Sequence, residues 1–279
     1  MKDADRHNGN GGTQGDAHSA IGSLLVKAVI PTLAQVHDSN LTDQGAAWVT
    51  GALGENKPNP AAKELARLAL QGRLEPCLQF VEQQRAAGMS LIEVFLGVLQ
   101  PAARQLGQGW EEDSCRFTDV TVGLWQLQQV FMRLVPEVHQ GPLNRERRAR
   151  PTIFLTAMPT AQHRFGVQML GAVFFAAGWS VSVSESREPE GQVLDAARAN
   201  PNVLGISLSC EKDLLHARKH IQSLRIACEH SQPFVMIGGP AVHLFPEQVH
   251  ALQADAICGD APDALQQATQ LLALGLARG

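Results

Sequence analysis

The chain has 279 residues, and 23 Lys plus Arg stand against 27 Asp plus Glu for a formal charge of −4. That near balance argues against a dedicated, strongly basic nucleic-acid binder. With 44% hydrophobic and 18% charged residues there is enough apolar material for real cores, which excludes global disorder.

At roughly 150 residues per domain the length predicts about two domains. Residues 1–19 read as a polar tail, rich in Gly, Asn and Asp over its first seventeen positions. It has no apolar h-region, so no signal peptide is expected. From Ala20 to about His37 the spacing of Ile21, Leu24, Leu25, Ala28, Val29 and Leu33 predicts an amphipathic helix, kinked or restarted at Pro31. Pro58 and Pro60, with Asn56 and Asn59 beside them, mark a loop. Helical spacing runs from about Ala61 to Ala87 with a break near Gly72, and again from about Ser90 to Leu106. Ser90 with Glu93 three residues later is a capping box. A further helix runs from Asp119 to about His139. No strand-like alternation precedes residue 150, so residues 20–140 read as a bundle of four or five helices.

Residues 141–151 form a linker. Gly141, Pro142 and Pro151 break structure, and Arg145, Arg147, Arg148 and Arg150 make a basic run that reads as solvated chain. It is the one place where direct nucleic-acid contact is expected, if anywhere. After it the period changes. Strands are expected at Thr152–Ala157, Trp179–Ser184, Val203–Ser209, Phe234–Gly238 and Asp255–Cys258. Helices are expected at His163–Ala177, Gln192–Ala199, Asp213–Cys228 and Ala261–Leu274. Strands alternating with helices imply parallel βαβ units. The fold class is therefore α followed by α/β: a helical bundle cap, then a flavodoxin-like doubly wound sheet of five parallel strands over residues 152–279. Ligands of such sheets sit at the carboxyl ends of the strands.

Three loops meet at that edge: 158–166 (MPTAQHRFG), 207–210 (SLSC) and 237–240 (IGGP). His163 can ligate a metal through a neutral ring nitrogen. Ser207 and Ser209 are two apart on a predicted strand, so both hydroxyls point to one face. Gly238 and Gly239 let a ligand approach the backbone. Each has a plainer account, a helix-start His and a Gly-Gly-Pro turn, but their placement at successive strand ends favours a shared site. The ordered set His-x-x-Gly, Ser-x-Ser and Gly-Gly resembles the cobalamin-binding domain family of corrinoid methyl carriers, mutases and cobalamin photosensors. The resemblance implies a flavodoxin-like fold in which the loop His replaces the cofactor's dimethylbenzimidazole below cobalt. The detached nucleotide tail then slides into a slot. By this resemblance His163 is the cobalt ligand, Ser207 and Ser209 meet the tail, Gly238 and Gly239 flank it, and Gly166 leaves it room. The family pattern is Asp-x-His-x-x-Gly, and Ala161 stands in the place of Asp. No carboxylate there can accept the far ring proton of His163, which suits a sensor better than a methyl-transfer catalyst.

The first half carries a second match. Residues 99–107 (LQPAARQLG), Trp110, then 117–123 (FTDVTVG) and Leu127 with Gln128 are similar to the helical cap of cobalamin-binding modules, where a Trp covers the upper corrin face. In the light-sensing repressors a Glu-His pair follows that Trp by ten and eleven residues. Here those positions are Val120 and Thr121, so the upper His ligand of those repressors is missing. The resemblance puts Val120, Thr121 and Leu124 with Trp110 beside the cofactor. Trp110 reads equally as cap and as core, and Trp125 as core. The variant resembles the photosynthesis-gene antirepressors of the AerR and PpaA type and the haem-or-cobalamin sensor domain of AppA. It implies a cytoplasmic, non-enzymatic sensor of light or redox state that regulates transcription through a DNA-binding protein partner. Haem is the alternative cofactor, a corrinoid carrier in methyl transfer the alternative role, and a cofactor-free protein-binding module the remaining one.

Other constellations are weaker. The five cysteines, Cys77, Cys115, Cys210, Cys228 and Cys258, form no CxxC pair and are read as reduced thiols. Cys210 neighbours the slot but reads as apolar filler. His216 and His220 have i, i+4 spacing and read as a solvated helix face rather than a metal pair; His243 and His250 read as surface residues. No run of about 18 apolar residues is present, so no membrane span is expected, and Tyr is absent.

Overall fold

Residues 59–140, 150–161 and 164–276 are described in the computed structural model. The tail, the helix expected at Ala20–His37, most of the 141–151 linker and His163 lie outside them.

Helix α1 (Pro60–Ala69) starts where the sequence suggested a loop, because Asn59 caps it. The Asn59 Oδ1 accepts from the backbone N–H groups of Ala61 at 2.9 Å and Ala62 at 3.4 Å, and Pro60 sits at the first helical position, where no N–H is needed. Gly72, at φ +68°, breaks the chain before α2 (Leu74–Ala86). The expected capping box is present: Ser90 and Glu93 exchange hydrogen bonds ahead of α3 (Leu91–Val94). The helix then widens into a π-turn at Phe95–Leu99 and continues as α4 (Gln100–Glu111). Pro101 explains the irregularity. It has no N–H for the Gly97 carbonyl four residues back, and the Asn59 side-chain amide donates to that carbonyl instead. One Asn thus caps α1 and relieves the defect beside α4. A long helix, α5 (Phe117–Gln140), completes the described helices of this half.

The second half follows the expected order: β1 (Thr152–Ala157), α6 (Phe165–Ala176), β2 (Ser180–Val183), α7 (Pro189–Ala199), β3 (Val203–Ser207), α8 (Glu211–Ala227), β4 (Phe234–Gly238), β5 (Ala256–Ile257) and α11 (Ala261–Leu276). Two short helices, α9 (Ala241–Leu244) and α10 (Pro246–His250), fill the β4–β5 connection, where no helix is expected from the sequence. All strands pair in parallel in the order β2-β1-β3-β4-β5. This is the flavodoxin-like winding, with its crevice between β1 and β3.

Helix α6 belongs to both halves. Val167 and Phe174 enter the core of the sheet, while Met169 and Ala172 enter the core of the bundle with Phe95, Leu127 and Phe131. Phe131 of α5 meets Phe165 edge-on, with ring centroids 5.5 Å apart. A helix that is apolar all round must be covered all round, and here the sheet covers one side and the bundle the other.

Two aromatic and histidine expectations need correction. Trp125 is 55% exposed rather than in the core, because Leu127, Val130 and Leu134 form the buried stripe of α5. His220 is buried rather than on a solvated face, because it packs onto Gln192 of α7, while His216, about one turn earlier, is exposed. His243 and His250 are exposed as expected. The described cysteines are all free. No described helix is long and apolar enough to cross a membrane.

Candidate functional site

The alternation of the strands places Ile153 and Leu155 of β1, Gly205 and Ser207 of β3, and Met236 and Gly238 of β4 on one face, in register. A cavity of about 200 Å³ lies between that face and helices α6 and α11. Its walls are largely apolar, with Leu170 and Phe174 of α6 opposite the sheet residues. At Gly205 an added Cβ would stand 2.5 Å from the Leu155 side chain, so the absence of a side chain there keeps the floor of the cavity low.

The strand-end loops close one end of this slot. Ladder bonds continue past the strands: the Met158 N–H donates to the Ser207 carbonyl at 3.2 Å and the Leu208 N–H to the Gly238 carbonyl at 2.9 Å. Gly239 has φ +94°, and an added Cβ would stand 2.5 Å from the Leu208 carbonyl oxygen and 2.7 Å from the Ser207 hydroxyl. Only glycine fits that turn. Gly166, Ser207, Ser209, Gly238 and Gly239 all line the slot, so five of the expected residues are brought together. β3 ends at Ser207, however, and Ser209 is not on a strand. It reaches the slot from the loop, because Asp213 accepts its N–H and draws the chain into the start of α8.

The cap residues are not brought to the slot. Trp110 is half-buried at the edge of the bundle core and stands edge-on to Phe117, with ring centroids 6.2 Å apart. Val120 is buried in that core, and Leu124 packs against it. Thr121 is exposed, its hydroxyl donating to the Phe117 carbonyl of its own helix at 2.8 Å. None of these four lines the slot.

Two residues outside the expected site hold the strand-end loops. Asp213 is fully buried. Its Oδ1 accepts from the Thr160 hydroxyl at 2.5 Å, and its Oδ2 accepts from the Ser209 N–H at 2.6 Å. The β1–α6 loop is thereby tied to the β3–α8 loop. Ala161, where the resemblance expects an Asp, is buried, its N–H donating to the Met158 carbonyl at 2.9 Å. His220 is the second. The Gln192 amide donates to the carbonyls of Ala157 and Ser186, both at 3.0 Å. Its Oε1 therefore faces His220 Nε2 at 2.7 Å, so that nitrogen must carry the proton. Burial pushes the His220 pKa down, and the neutral ring fixes the end of β1. Asp213 has a readable signal, an acid three residues into a helix after a loop; the burial of His220 has none, since it depends on Gln192 of the neighbouring helix α7.

The slot also holds a thiol and a cation. Burial pushes the Cys258 thiol up to about 12, helped by Asp263 and Asp260, so it lines the slot as a neutral, unreactive group. Arg104 enters the slot from α4 with Gln100 and Ala103.

Residues 151–269 match the family model described as B12 binding domain, and residues 61–134 match a second model with the same description. The second half is a cobalamin-binding domain. Cobalamin is the cofactor such a domain takes. In fold the chain is similar to the monomethylamine corrinoid protein of Methanosarcina barkeri, at 15% identity and a TM-score of 0.62, over 76% of this chain and 98% of that one. It also matches a cobalamin-binding protein from Desulfitobacterium hafniense (18% identity, TM-score 0.39, 75% of this chain and 97% of that one). A third match is the methanol:cobalamin methyltransferase complex of M. barkeri (17% identity, TM-score 0.38, 79% and 86%). No curated protein matches the chain in sequence.

The slot of this cobalamin-binding domain has room for the cofactor's nucleotide base. An apolar cavity of ~150 Å³ is enough to take up benzene, so about 200 Å³ between α6 and the sheet suits a flat bicyclic base. Nothing stands within 4 Å of a Cβ built on Gly166, which leaves open space at the start of α6.

Proposed function

We propose that this chain binds cobalamin base-off, with His163 as the lower cobalt ligand, and acts as a cytoplasmic light or redox sensor of the antirepressor type, regulating transcription through a DNA-binding protein partner. The observation that carries the reading is the slot itself, whose far wall, α6, is also a core helix of the bundle. Cobalamin supplies a cobalt whose axial ligation responds to light and oxidation state. Ile153, Leu155, Phe174 and Met236 exclude water from the base in the slot, and Ser207 and Ser209 offer hydroxyls to the tail. Trp110 lies with Val120, Thr121 and Leu124 in the bundle half that covers the upper face. Ala161 leaves no carboxylate at its own position to raise the basicity of His163, which favours a stable, responsive ligation over rapid methyl-transfer turnover.

The test is the absorption spectrum of the purified protein with hydroxo- and adenosylcobalamin, in the dark and after illumination, against His163→Ala. A bound, light- or redox-dependent spectrum that changes in the variant is expected. Identical spectra and affinity would overturn the ligand assignment, and a Soret band with haem but no corrin binding would replace cobalamin by haem. A corrinoid carrier is the second reading, favoured by the shared fold with the monomethylamine corrinoid protein. It predicts that bound methylcobalamin turns over with a partner methyltransferase, and Ala161 weighs against it.

A further inference from the structure

Arg104 is the residue of the slot that the cofactor reading leaves without a task. Beside Gln100 and Ala103 it projects from α4, in the helical half, into a cavity whose remaining walls are built by the sheet domain. Its Nε is buried and has no hydrogen-bond partner, and the guanidinium makes no ion pair or hydrogen bond with any described residue. Among the described residues the charge that acts on it is Asp260, which lines the same cavity but stands beyond ion-pair distance. Burial opposes its charge, yet a guanidinium stays protonated in proteins. A cation kept in an apolar slot without a partner is unfavourable unless an anion joins it.

We propose that Arg104 recognises an anionic group of the bound ligand, the phosphodiester of the cobalamin nucleotide tail, and is the helical half's direct hold on the cofactor. This rests on the reading of the chain as a base-off cobalamin binder. The chemistry singles out the phosphodiester: the corrin's peripheral side chains are neutral amides, and the phosphodiester is the anionic link between corrin and base. When the base occupies the slot, that link must lie along the same path, which Arg104 faces together with Ser207 and Ser209. Guanidinium and phosphate match in a two-pronged, charge-assisted pair. Arg104 would thus select the complete cofactor over a corrin that lacks its nucleotide.

The experiment is an absorbance titration of the full chain with hydroxocobalamin and with cobinamide, which keeps the corrin and lacks phosphate, ribose and base. In Arg104→Met the Kd for cobalamin should rise at least tenfold while the Kd for cobinamide stays within twofold. Arg104→Lys should recover part of the loss, and raised salt should weaken cobalamin binding in the wild type more than in Arg104→Met. An apo-protein melting temperature that is unchanged or raised in Arg104→Met checks that the fold is intact. A cobalamin Kd within twofold of wild type would overturn the proposal. So would equal weakening of both ligands, reproduced by Asp260→Asn, which would make Arg104 a structural partner of Asp260. If the wild type binds cobinamide and cobalamin alike, the tail is not recognised and the proposal falls while corrin binding stands. If it binds neither, the base-off reading itself falls.

Discussion

The Thr160–Asp213–Ser209 link gives the most exposed prediction, because it joins two loops 53 residues apart through one buried carboxylate. Asp213→Ala removes two short hydrogen bonds, at 2.5 and 2.6 Å, and a weak third to the Cys210 N–H at 3.4 Å. Hydrogen bonds to a charged group contribute roughly 1.5–3 kcal/mol each, and relief of the carboxylate's burial offsets a share of that. The expected net loss is about 2–4 kcal/mol, large against a total stability of roughly 5–15 kcal/mol. Thr160→Val removes only the loop-to-loop bond and should cost about 1 kcal/mol, discounted because the Thr160 side chain is at the surface. Urea denaturation of the apo-protein, followed by circular dichroism, measures both. In the Asp213→Ala background Thr160→Val should cost less than about 0.5 kcal/mol, since its partner is already gone. Equal costs of Thr160→Val in both backgrounds would refute the link. A stable Asp213→Ala would refute the burial argument behind it.

Three further outcomes follow from the same geometry. Gly239→Ala forces a side chain into the left-handed region and against the Leu208 carbonyl at 2.5 Å; it should destabilise by about 2–4 kcal/mol in denaturation. Gly166→Leu places a side chain in open space on a helix, so the apo-protein should be as stable or up to about 1 kcal/mol more stable, while cobalamin affinity in an absorbance titration drops sharply as the slot mouth fills. His220 gives a pH signature. Its folded pKa lies below the ordinary value of 6.5, so the unfolded chain binds the proton first; stability is full above pH 6.5 and falls as the pH drops from 6.5 to the depressed folded value, by at most about 1.4 kcal/mol per pH unit. Denaturation midpoints at pH 7.5, 6.0 and 5.0 should fall for the wild type and flatten in His220→Gln, which keeps a donor for Gln192.

β1, β3 and β4 were legible as short apolar runs between breakers and β2 by its alternation, and β1 and β4 keep their expected bounds of Thr152–Ala157 and Phe234–Gly238. Five slot residues were legible for a related reason: strand ends, serines and paired glycines mark where chain and ligand approach. What failed depends on three-dimensional cover. Ser209 looked like strand because alternation continues through Leu208, but Asp213 captures its N–H and starts a helix. Trp125 looked like core because of its size, yet the stripe of α5 that faces α4 is set by Val120, Leu127, Val130 and Leu134. Arg104 sits among Ala102, Ala103 and Leu106, and period alone cannot say that α4 turns its charge toward a second layer.

That second layer decides what a ligand in the slot can do. A cofactor switches a protein only if it binds two arrangements with different free energy. A ligand held by the sheet alone would leave the bundle indifferent. Here two helices join the slot to the bundle: α6, whose Met169 and Ala172 lie in the bundle core while Phe174 lies in the sheet core, and α4, from which Arg104 enters beside Gln100 and Ala103. A tenfold loss of affinity on removing Arg104 corresponds to about 1.4 kcal/mol. If the contact exists only when α4 is docked over the slot, that free energy is the coupling between ligand and bundle. It moves a balanced pair of arrangements to about 10:1 without any change in the fold of either half.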